Sequence, residues 1–210
     1  MRLETPLDDI FRGPSHVRVL RALHQVSKGL SLSARAIARR AGVSHPTASK
    51  VLSSLTDQGL VARSRVPRGS FFRLRRTNTA VDVLRTLFDW EEGLMRELID
   101  LLRSEIDRHA PRTVTAVFLF GSAARGDMSP GSDIDVAVVH RADAAEEVAL
   151  AMEEIGERVQ ERFGNRVSFV FADAPVKELQ SSGREGARLW GKILQEGIPV
   201  FDTELRAADG

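Results

Sequence analysis

Two short motifs in the second half of the chain contain residue types that bind phosphate groups and metal ions. Gly121 and Ser122 follow an apolar stretch; glycine leaves room for a phosphate to approach the backbone, and serine offers a hydroxyl donor. Ten residues separate Ser122 from Asp133, and Asp133 and Asp135 alternate at the start of a second apolar stretch. Side chains two apart on a strand share one face, so these carboxylates would repel each other unless a cation such as Mg²⁺ lies between them. The spacing therefore predicts a site for a phosphate group and Mg²⁺.

The sequence around these motifs predicts the elements that position them. β-Branched and aromatic residues dominate 113–120 and 134–139, which is typical of strands. A helix that began at Ser122 would direct its free backbone N–H groups at the same phosphate. The other elements predicted in this half are a long helix at 81–109, helices at 144–163, 175–179 and 184–195, and strands at 167–171 and 198–201.

Residues 118–139, FLFGSAARGDMSPGSDIDVAVV, resemble the DNA-polymerase-β-like nucleotidyltransferases, above all the minimal nucleotidyltransferases, whose pattern is Gly-Ser, ten residues and Asp-x-Asp. The resemblance covers roughly residues 111–201. Members of this superfamily transfer a nucleoside monophosphate from a nucleoside triphosphate to a hydroxyl group, with two Mg²⁺ ions. The resemblance thus implies a nucleoside triphosphate as substrate or ligand, and two Mg²⁺ ions if the protein is active.

The resemblance also implies a role for each matching position. Asp133 and Asp135 would ligate the metal ions and would be the catalytic residues. Arg125 could reach a phosphate, although a surface salt bridge explains this arginine equally well. The implied nucleotide-binding residues are Gly121, Ser122, Arg125 and Ser132.

One position departs from the pattern of the family, which usually has a third carboxylate on the next strand. Ser168 stands where that acid is expected, and a serine cannot serve as the base for an attacking hydroxyl as a carboxylate can. Asp173 lies five residues further on, an odd offset that would put it on the opposite face of the strand. We therefore expect nucleotide and metal binding, and the sequence leaves catalytic turnover open.

Charge divides the chain into two parts. The net charge is +1 overall, but residues 1–76 contain 15 Lys+Arg and 4 Asp+Glu, a net charge of +11, whereas residues 77–210 contain 15 and 25, a net charge of −10. Such an asymmetry indicates two modules with different partners, and the basic module favours a polyanion. The alternative is that the basic residues serve solubility alone.

The basic part has the pattern of a small DNA-binding fold. Helices are predicted after Gly13-Pro14 and at 34–41 and 45–58, and two short strands at 60–64 and 70–75 would form a hairpin. Residues 36–61, AIARRAGVSHPTASKVLSSLTDQGLV, resemble a winged helix-turn-helix of the bacterial regulator type, and the resemblance covers roughly residues 14–76. It implies binding to double-stranded DNA, and use of the fold for protein contact is the alternative.

This second resemblance implies DNA-facing residues in two segments. The recognition helix would begin near Ser44 and face the major groove, while the hairpin wing would lie on phosphates or enter the minor groove. The implied DNA-binding residues are Ser44, His45, Thr47, Ser49 and Lys50 in the helix and Arg63, Arg65 and Arg68 in the wing. Further arginines that would extend the basic face are Arg39, Arg40, Arg73 and Arg75.

Composition limits the other possibilities. The chain has no cysteine, which excludes disulfides and thiolate metal sites, and its five histidines show no ligand spacing. No apolar run approaches the length of a membrane span, and the first residues lack the pattern of a signal peptide. We therefore expect a cytoplasmic protein with no membrane partner.

We expect an α+β protein of two domains, a winged helix-turn-helix with a β-hairpin wing followed by a nucleotidyltransferase-like α/β domain with a small mixed sheet. The predicted segments are 1–77 for the DNA-binding domain, 78–110 for a long connecting helix and 111–205 for the nucleotidyltransferase-like domain. The apolar stripe of the connecting helix could pack on the second domain or pair two chains. Winged-helix regulators commonly bind repeated duplex half-sites as dimers, so we expect a homodimer.

These features lead to three hypotheses about function. The first is a DNA-binding transcriptional regulator whose second domain binds a Mg-nucleoside triphosphate, with transfer of a nucleoside monophosphate to a hydroxyl acceptor left open. The alternative is an active nucleotidyltransferase, either antitoxin-like or acting on a protein, an RNA or a small molecule, whose winged helix is accessory. The third is a scaffold in which both sites are degenerate. The nucleotide, the acceptor and the operator sequence do not follow from the sequence.

Overall fold

The computed structural model describes residues 5–26, 30–67, 69–179 and 186–202. The chain divides into two compact units, Met1–Gly93 and Leu94–Gly210. The division falls inside the long helix that was predicted at 81–109, so that one helix contributes residues to both units.

The first unit consists of helices and a small antiparallel sheet. Its elements are α1 (Pro6–Ile10), α2 (Pro14–His24), β1 (Leu32–Ser33), α3 (Ala34–Ala41), α4 (His45–Asp57), β2 (Val61–Val66), β3 (Gly69–Leu74) and the first part of α5 (Thr79–His109). The described strands lie in the order β1-β3-β2 and pair antiparallel. This is the predicted winged helix-turn-helix with two additions, the helix α1 and the strand β1, in which Leu32 pairs with Phe72 of β3.

Local residue choices explain where α3 and α4 begin and end. The Ser33 hydroxyl accepts a hydrogen bond from the Ala36 N–H at 3.3 Å, and the Ser44 hydroxyl accepts one from the Thr47 N–H at 3.2 Å, so both serines cap helix N-termini. Gly42 ends α3 in the left-handed conformation, with a φ of +60° that other residues rarely adopt. The two helices therefore meet at a tight turn, as a helix-turn-helix requires.

The core of the first unit includes the beginning of α5. Apolar side chains from α1 to β3 form this core, and α5 adds three residues to it, Val81, Leu84 and Phe88, each almost fully buried. Full burial of side chains of this size contributes about 1.5–3 kcal/mol each. The core of the winged helix is therefore completed by apolar side chains from about two turns of α5, which follows the hairpin in the sequence.

The second unit is built around a mixed sheet. Its elements are the rest of α5, β4 (Val114–Phe120), α6 (Gly121–Arg125), β5 (Ile134–His140), α7 (Ala145–Phe163), β6 (Val167–Ala172), α8 (Ala187–Glu196) and β7 (Ile198–Asp202), with 3-10 turns at Ala142–Ala144 and Val176–Glu178. The described strands lie in the order β6-β5-β4-β7, with β5 and β6 parallel and the other neighbours antiparallel. This confirms the small mixed sheet that the sequence predicted.

Both faces of the central strands are buried. Val117 and Leu119 of β4 pack in one core with α7 and the second part of α5, whereas Phe118 packs on the other face in a core that includes Trp190 of α8. A strand that is covered on both faces has a nearly continuous apolar sequence, which explains the run TAVFLF in β4. None of the described helices has the length and apolarity needed to cross a bilayer.

A buried carboxylate joins α5 to α7 in the second unit. The Glu105 side chain is 4% exposed, and Arg108 Nη1 donates to its Oε1 at 2.7 Å. Arg158 Nε of α7 lies 3.2 Å from its Oε2, and His109 Nε2 lies 3.3 Å from the same oxygen. The charge of Glu105 is therefore compensated from two helices.

We expect Glu105→Gln to lower the free energy of unfolding by about 1.5–3 kcal/mol, because Arg108 and Arg158 lose the negative partner with which they form ion pairs. Glu97→Gln is the matched control, since Glu97 pairs with Arg162 at a more exposed position and should cost about 1 kcal/mol or less. Urea unfolding followed by the fluorescence of the buried Trp190 measures both. Equal stability of the two variants would contradict a special role for Glu105.

Candidate functional site

The two chemical motifs meet at one end of β4 and β5. β4 ends at Phe120, which pairs with Asp135 of β5, and Gly121 begins the short helix α6. Gly121 has a φ of +68°, and a Cβ at this position would lie 2.9 Å from Asp135 Cγ and closer still to its Oδ2. Only glycine satisfies both the backbone conformation and this contact. The carboxylate of Asp135 thus occupies the space that a side chain at residue 121 would need.

Asp133 and Asp135 form a pair of neighbouring carboxylates, the first exposed and the second partly buried. Burial raises the pKa of the Asp135 carboxyl above its ordinary value, the charge of Asp133 raises this pKa further, and Arg125 partly lowers it. A bound cation would favour the charged form that burial and Asp133 disfavour. The pair therefore has the chemistry of a site for a hard divalent cation.

Ser132 organises the loop between α6 and β5. Its hydroxyl accepts a hydrogen bond from the Ser129 N–H at 3.0 Å, and the Asn165 side-chain amide donates to its carbonyl at 3.0 Å. At the other end of the loop, the Asp127 N–H donates to the Ser122 carbonyl at 3.1 Å. Ser132 thus holds the loop that carries Asp133, and its role in nucleotide binding stays a prediction.

Arg125 forms the surface salt bridge that the sequence left open as an alternative. It is exposed, and its Nε donates to Asp127 Oδ2 at 3.2 Å. An exposed pair of this kind contributes about 1 kcal/mol or less, so it does not hold the arginine away from a phosphate. Both roles of Arg125 remain compatible with its position.

The register of β6 locates Ser168 beside the two carboxylates. β6 pairs parallel with β5, and Ser168 is the residue opposite Asp135, so the two side chains point to the same face of the sheet. Asp173 follows the last residue of β6 and lines a cavity with His140, at the other end of β5. Asp173 is therefore too far along the strand to replace the third acid.

The recognition helix presents some of the predicted DNA-facing residues and uses others for its own structure. His45, the first residue of α4, and Lys50, in its second turn, are exposed. The Ser44 and Thr47 side-chain oxygens lie 2.7 Å apart and share a hydrogen bond, so these two residues also hold the N-terminus of the helix. Ser49 is partly buried and lines a cavity that faces the hairpin.

This cavity, of about 680 Å³, lies between α3, α4 and the hairpin. Its polar and charged lining consists of Ser33, Arg35, His45, Ser49, Ser53, Arg63 and Ser70. Arg35 and Ser53 were not among the predicted DNA-facing residues. A sequence signal was present for Ser53, because it lies four residues after Ser49 and so on the same face of α4. A signal was also present for Arg35, which lies four residues before Arg39 and so on the same face of α3.

The wing carries its arginines in a fixed arrangement. Arg63 Nε donates to Ser70 Oγ at 2.9 Å, and its guanidinium lies 5.8 Å from the centre of the Phe72 ring. Arg65 is exposed two residues further along β2, and so points to the same side of the strand. Arg68 lies outside the described residues. The two described wing arginines therefore form one basic edge of the hairpin.

The fold and the two sites define a protein that joins a helix-turn-helix unit with a basic wing to a unit with a paired-carboxylate site of nucleotidyltransferase type. Residues 13–70 match the model of the MarR family, and residues 99–189 match the model of the nucleotidyltransferase domain. The chain thus combines a MarR-family winged helix with a nucleotidyltransferase domain. Both resemblances that the sequence suggested are confirmed.

Solved structures with some similarity to the chain include two of toxin–antitoxin systems. A toxin–antitoxin structure with AMP-PNP is 20% identical, with a TM-score of 0.37, and the match covers 51% of this chain and 76% of that chain. A mutant of the toxin–antitoxin MntA-HpeT is 21% identical, with a TM-score of 0.35, and the match covers 53% of this chain and 76% of that chain. No curated protein matches the chain.

The raised pKa of Asp135 predicts that this residue destabilises the metal-free protein. Above the raised pKa the folded state holds an unfavourable ionised carboxylate, and the penalty disappears as the pH falls through that pKa. Asp135→Asn should therefore raise the free energy of unfolding at pH 7, by less than about 1 kcal/mol because solvent reaches the group. Urea unfolding in metal-free buffer measures the difference.

The control for this prediction is Asp143→Asn, which should change the free energy of unfolding in the opposite direction. Hydrogen bonding to Arg141 lowers the pKa of Asp143, so its charge stabilises the folded protein above the ordinary pKa of an aspartate. A decrease in the free energy of unfolding at pH 7 for Asp135→Asn would show that the Asp135 carboxylate does not destabilise the folded protein.

Proposed function

We propose that the protein is a DNA-binding regulator whose nucleotidyltransferase domain binds a nucleoside triphosphate together with Mg²⁺. The observation that carries this proposal is the arrangement around Gly121, where a backbone free of any side chain lies against Asp135, with Asp133 beside it. The basic helix-turn-helix of the first unit supports the DNA-binding part.

The residues of the site fit the proposed ligand. Asp133 and Asp135 would hold the Mg²⁺ ion, since both offer hard oxygen ligands, and a bound cation would offset the burial and the Asp133 charge that raise the pKa of Asp135. Gly121 and Ser122 at the start of α6 would bind the triphosphate through backbone N–H groups and the hydroxyl. When bound, Mg²⁺ neutralises the charge of the phosphate oxygens. Arg125 would add a positive charge beside them.

The serine at position 168 favours binding of the nucleotide without transfer of a nucleoside monophosphate. The side chain opposite Asp135 is a hydroxyl, which cannot take the proton of an attacking acceptor as a carboxylate would. It is also a poorer cation ligand than a carboxylate, so one Mg²⁺ fits the site better than the two of an active enzyme. The nucleotide is then a ligand of the regulator, and the amount bound would report its concentration in the cell.

The first unit would bind duplex DNA through α4 and the wing. His45 and Lys50 are exposed on the recognition helix, and Arg63 and Arg65 lie on one edge of the hairpin. Arg35 faces the cavity between them and would add a phosphate contact. Phosphate contacts of this kind give an affinity that falls steeply with salt.

A homodimer is part of this proposal. Val83, Leu87 and Trp90 are exposed by 60%, 46% and 58%, and they follow one another at steps of four and three residues along α5. Residues at this spacing share one face of a helix, so they form an apolar stripe that a second copy could cover. Two copies would also match the repeated half-sites of a DNA duplex.

The nucleotide part of the proposal predicts that the wild-type protein binds nucleoside triphosphate with Mg²⁺ but transfers none of it. Asp133→Asn and Asp135→Asn should each weaken binding at least about tenfold, because a carboxylate ligand is lost. Ser168→Asp should introduce transfer to protein or RNA acceptors, at least about 10²-fold above the background without enzyme, because it supplies the missing base. Calorimetry measures the binding, and nucleoside triphosphate labelled at the α-phosphate measures the transfer.

Ser168→Asn is the matched control, since it has the shape of the aspartate without its charge and should remain inactive. Rapid transfer by the wild type that Ser168→Asp does not increase would establish the alternative, an active nucleotidyltransferase with an accessory winged helix. Absence of nucleotide binding by the wild type would refute the nucleotide part of the proposal outright.

The DNA part predicts binding to duplex DNA at low salt, with a strong dependence on salt concentration. Arg65→Ala should weaken binding to all sequences and reduce the slope of log affinity against log salt by about 1, the effect of losing one phosphate contact. Arg112→Ala, an exposed arginine of the second unit, should leave the slope unchanged. Fluorescence anisotropy of labelled duplexes measures both, and light scattering on the same samples tests the dimer. No binding at low salt would exclude a DNA-binding role.

A further inference from the structure

Three side chains of the first unit, outside the two sites described above, bring metal-binding atoms together. His24 is the last residue of α2, and Asp89 and Glu92 lie on the first part of α5. One ligand atom from each residue lies within 4.8 Å of those of the other two. His24 Nε2 lies 3.0 Å from Asp89 Oδ1. The group therefore combines an imidazole nitrogen with two carboxylates from a second helix.

The histidine of this group is fixed in place, whereas the carboxylates can adjust. The His24 side chain is 10% exposed, and its ring lies 5.4 Å from that of Phe88, centre to centre. Asp89 and Glu92 are exposed, and their spacing of three residues puts them on one face of α5. All three residues line a cavity of about 470 Å³, which gives an ion access from solvent.

The distances suit a metal ion after a small movement. Ligands in a four-coordinate zinc site lie about 2.0–2.2 Å from the metal, which puts them about 3.4 Å apart. The largest separation here, within 4.8 Å, would close by at most about 1.4 Å, and rotation of an exposed carboxylate supplies a movement of that size. Water would complete the coordination.

The local charges also favour a divalent cation at this position. Asp89 and Glu92 bring two negative charges beside a histidine whose neutral form is a ligand. Two arginines line the same cavity, but Arg85 already has a carboxylate partner, with its Nη1 3.8 Å from Asp82 Oδ1. Arg76 is the other cation of the lining, and its single positive charge does not offset the two negative charges of Asp89 and Glu92.

One imidazole nitrogen and two carboxylates, as ligands, favour a transition-metal ion. Mg²⁺ is usually bound through oxygen ligands and retained water, whereas an imidazole with two carboxylates suits first-row transition metals such as Zn²⁺ or Mn²⁺. The site therefore differs in metal class from the pair Asp133 and Asp135. Its three ligands come from α2 and α5, so a bound ion would connect a helix of the winged helix-turn-helix to the helix that follows it.

We propose that His24, Asp89 and Glu92 form a binding site for a divalent transition-metal ion that links α2 to α5. An ion that binds only the folded protein raises its stability by mass action. Metal binding at this site therefore stabilises the first unit, and it does so whether or not the second unit binds a nucleotide.

The experiment uses the full chain with Asp133→Asn and Asp135→Asn, which removes the other pair of carboxylates. Competition with a chromogenic chelator should show one equivalent of Zn²⁺ bound, and Co²⁺ in its place should give the visible absorption of a site with a nitrogen ligand. Glu92→Gln and His24→Gln should each lower the Zn²⁺ affinity at least about tenfold. Saturating Zn²⁺ should raise the melting temperature of the parent protein, which carries only Asp133→Asn and Asp135→Asn. The increase should be smaller when Glu92→Gln or His24→Gln is added.

Glu91→Gln is the matched control, because Glu91 is the neighbouring acid on α5 but is bound to Arg21, with Arg21 Nε 2.6 Å from its Oε2. It should leave the Zn²⁺ affinity unchanged. Glu92 is exposed, so Glu92→Gln tests the site without disturbing the core that His24 contacts. Failure of the parent to bind one equivalent of Zn²⁺ or Mn²⁺ would overturn the proposal, as would equal affinity in Glu92→Gln. The pair His24–Asp89 would then be a structural ion pair.

Discussion

The candidate site of the second unit depends on one contact, between the backbone of Gly121 and the carboxylate of Asp135. The contact exists only because β4 ends at Phe120, directly opposite Asp135, and because the chain then turns into a helix with a left-handed residue. A shift of the pairing by one residue would turn Asp135 to the opposite face of the sheet, where Val136 and its neighbours are buried. The register of β4 and β5 therefore determines the arrangement of the site.

The apolar strands hold that register. β4 and β5 are interior strands whose two faces are covered by separate cores, so a slipped register would place Asp135 in an apolar layer and expose valine or leucine in its place. The burial of several such side chains, at about 1.5–3 kcal/mol each, outweighs the unfavourable placement of two carboxylates at the strand end. The register of the edge strand β6 is less constrained, because β6 pairs with only one of the other described strands. This strand carries Ser168 in place of an acid.

The sequence predicted the features that depend on neighbours along the chain. The motif from Gly121 to Asp135 and the helix-turn-helix around Gly42 lie within short segments, where glycine conformation, capping and strand alternation decide the structure. The position of Ser168 was expected from the pattern of the nucleotidyltransferase family, and the register of β6 puts this residue opposite Asp135. The strand β1 was not predicted, since two residues are too few to show the alternation of apolar and polar side chains that indicates a strand.

Contacts between segments that are distant in the sequence could not be predicted from glycine conformation, capping or strand alternation. His24 and Asp89 are 65 positions apart, and the spacing of histidines gave no sign that one of them lies beside two carboxylates. Their proximity results from the packing of α2 against the first turns of α5, which depends on side-chain shapes rather than on a pattern.

The contribution of α5 to both cores has a consequence for synthesis on the ribosome. The first core needs Val81, Leu84 and Phe88, so a nascent chain that ends at residue 77 has a winged helix with an open apolar surface. Once about fifteen further residues have emerged, this unit can close before any strand of the second sheet exists, since domains generally fold as units from the N-terminus. The rest of α5 then emerges from a folded unit as a helix already nucleated, which removes the unfavourable first step of helix formation. The helix α5, which both units share, would thus set the order in which the two units fold.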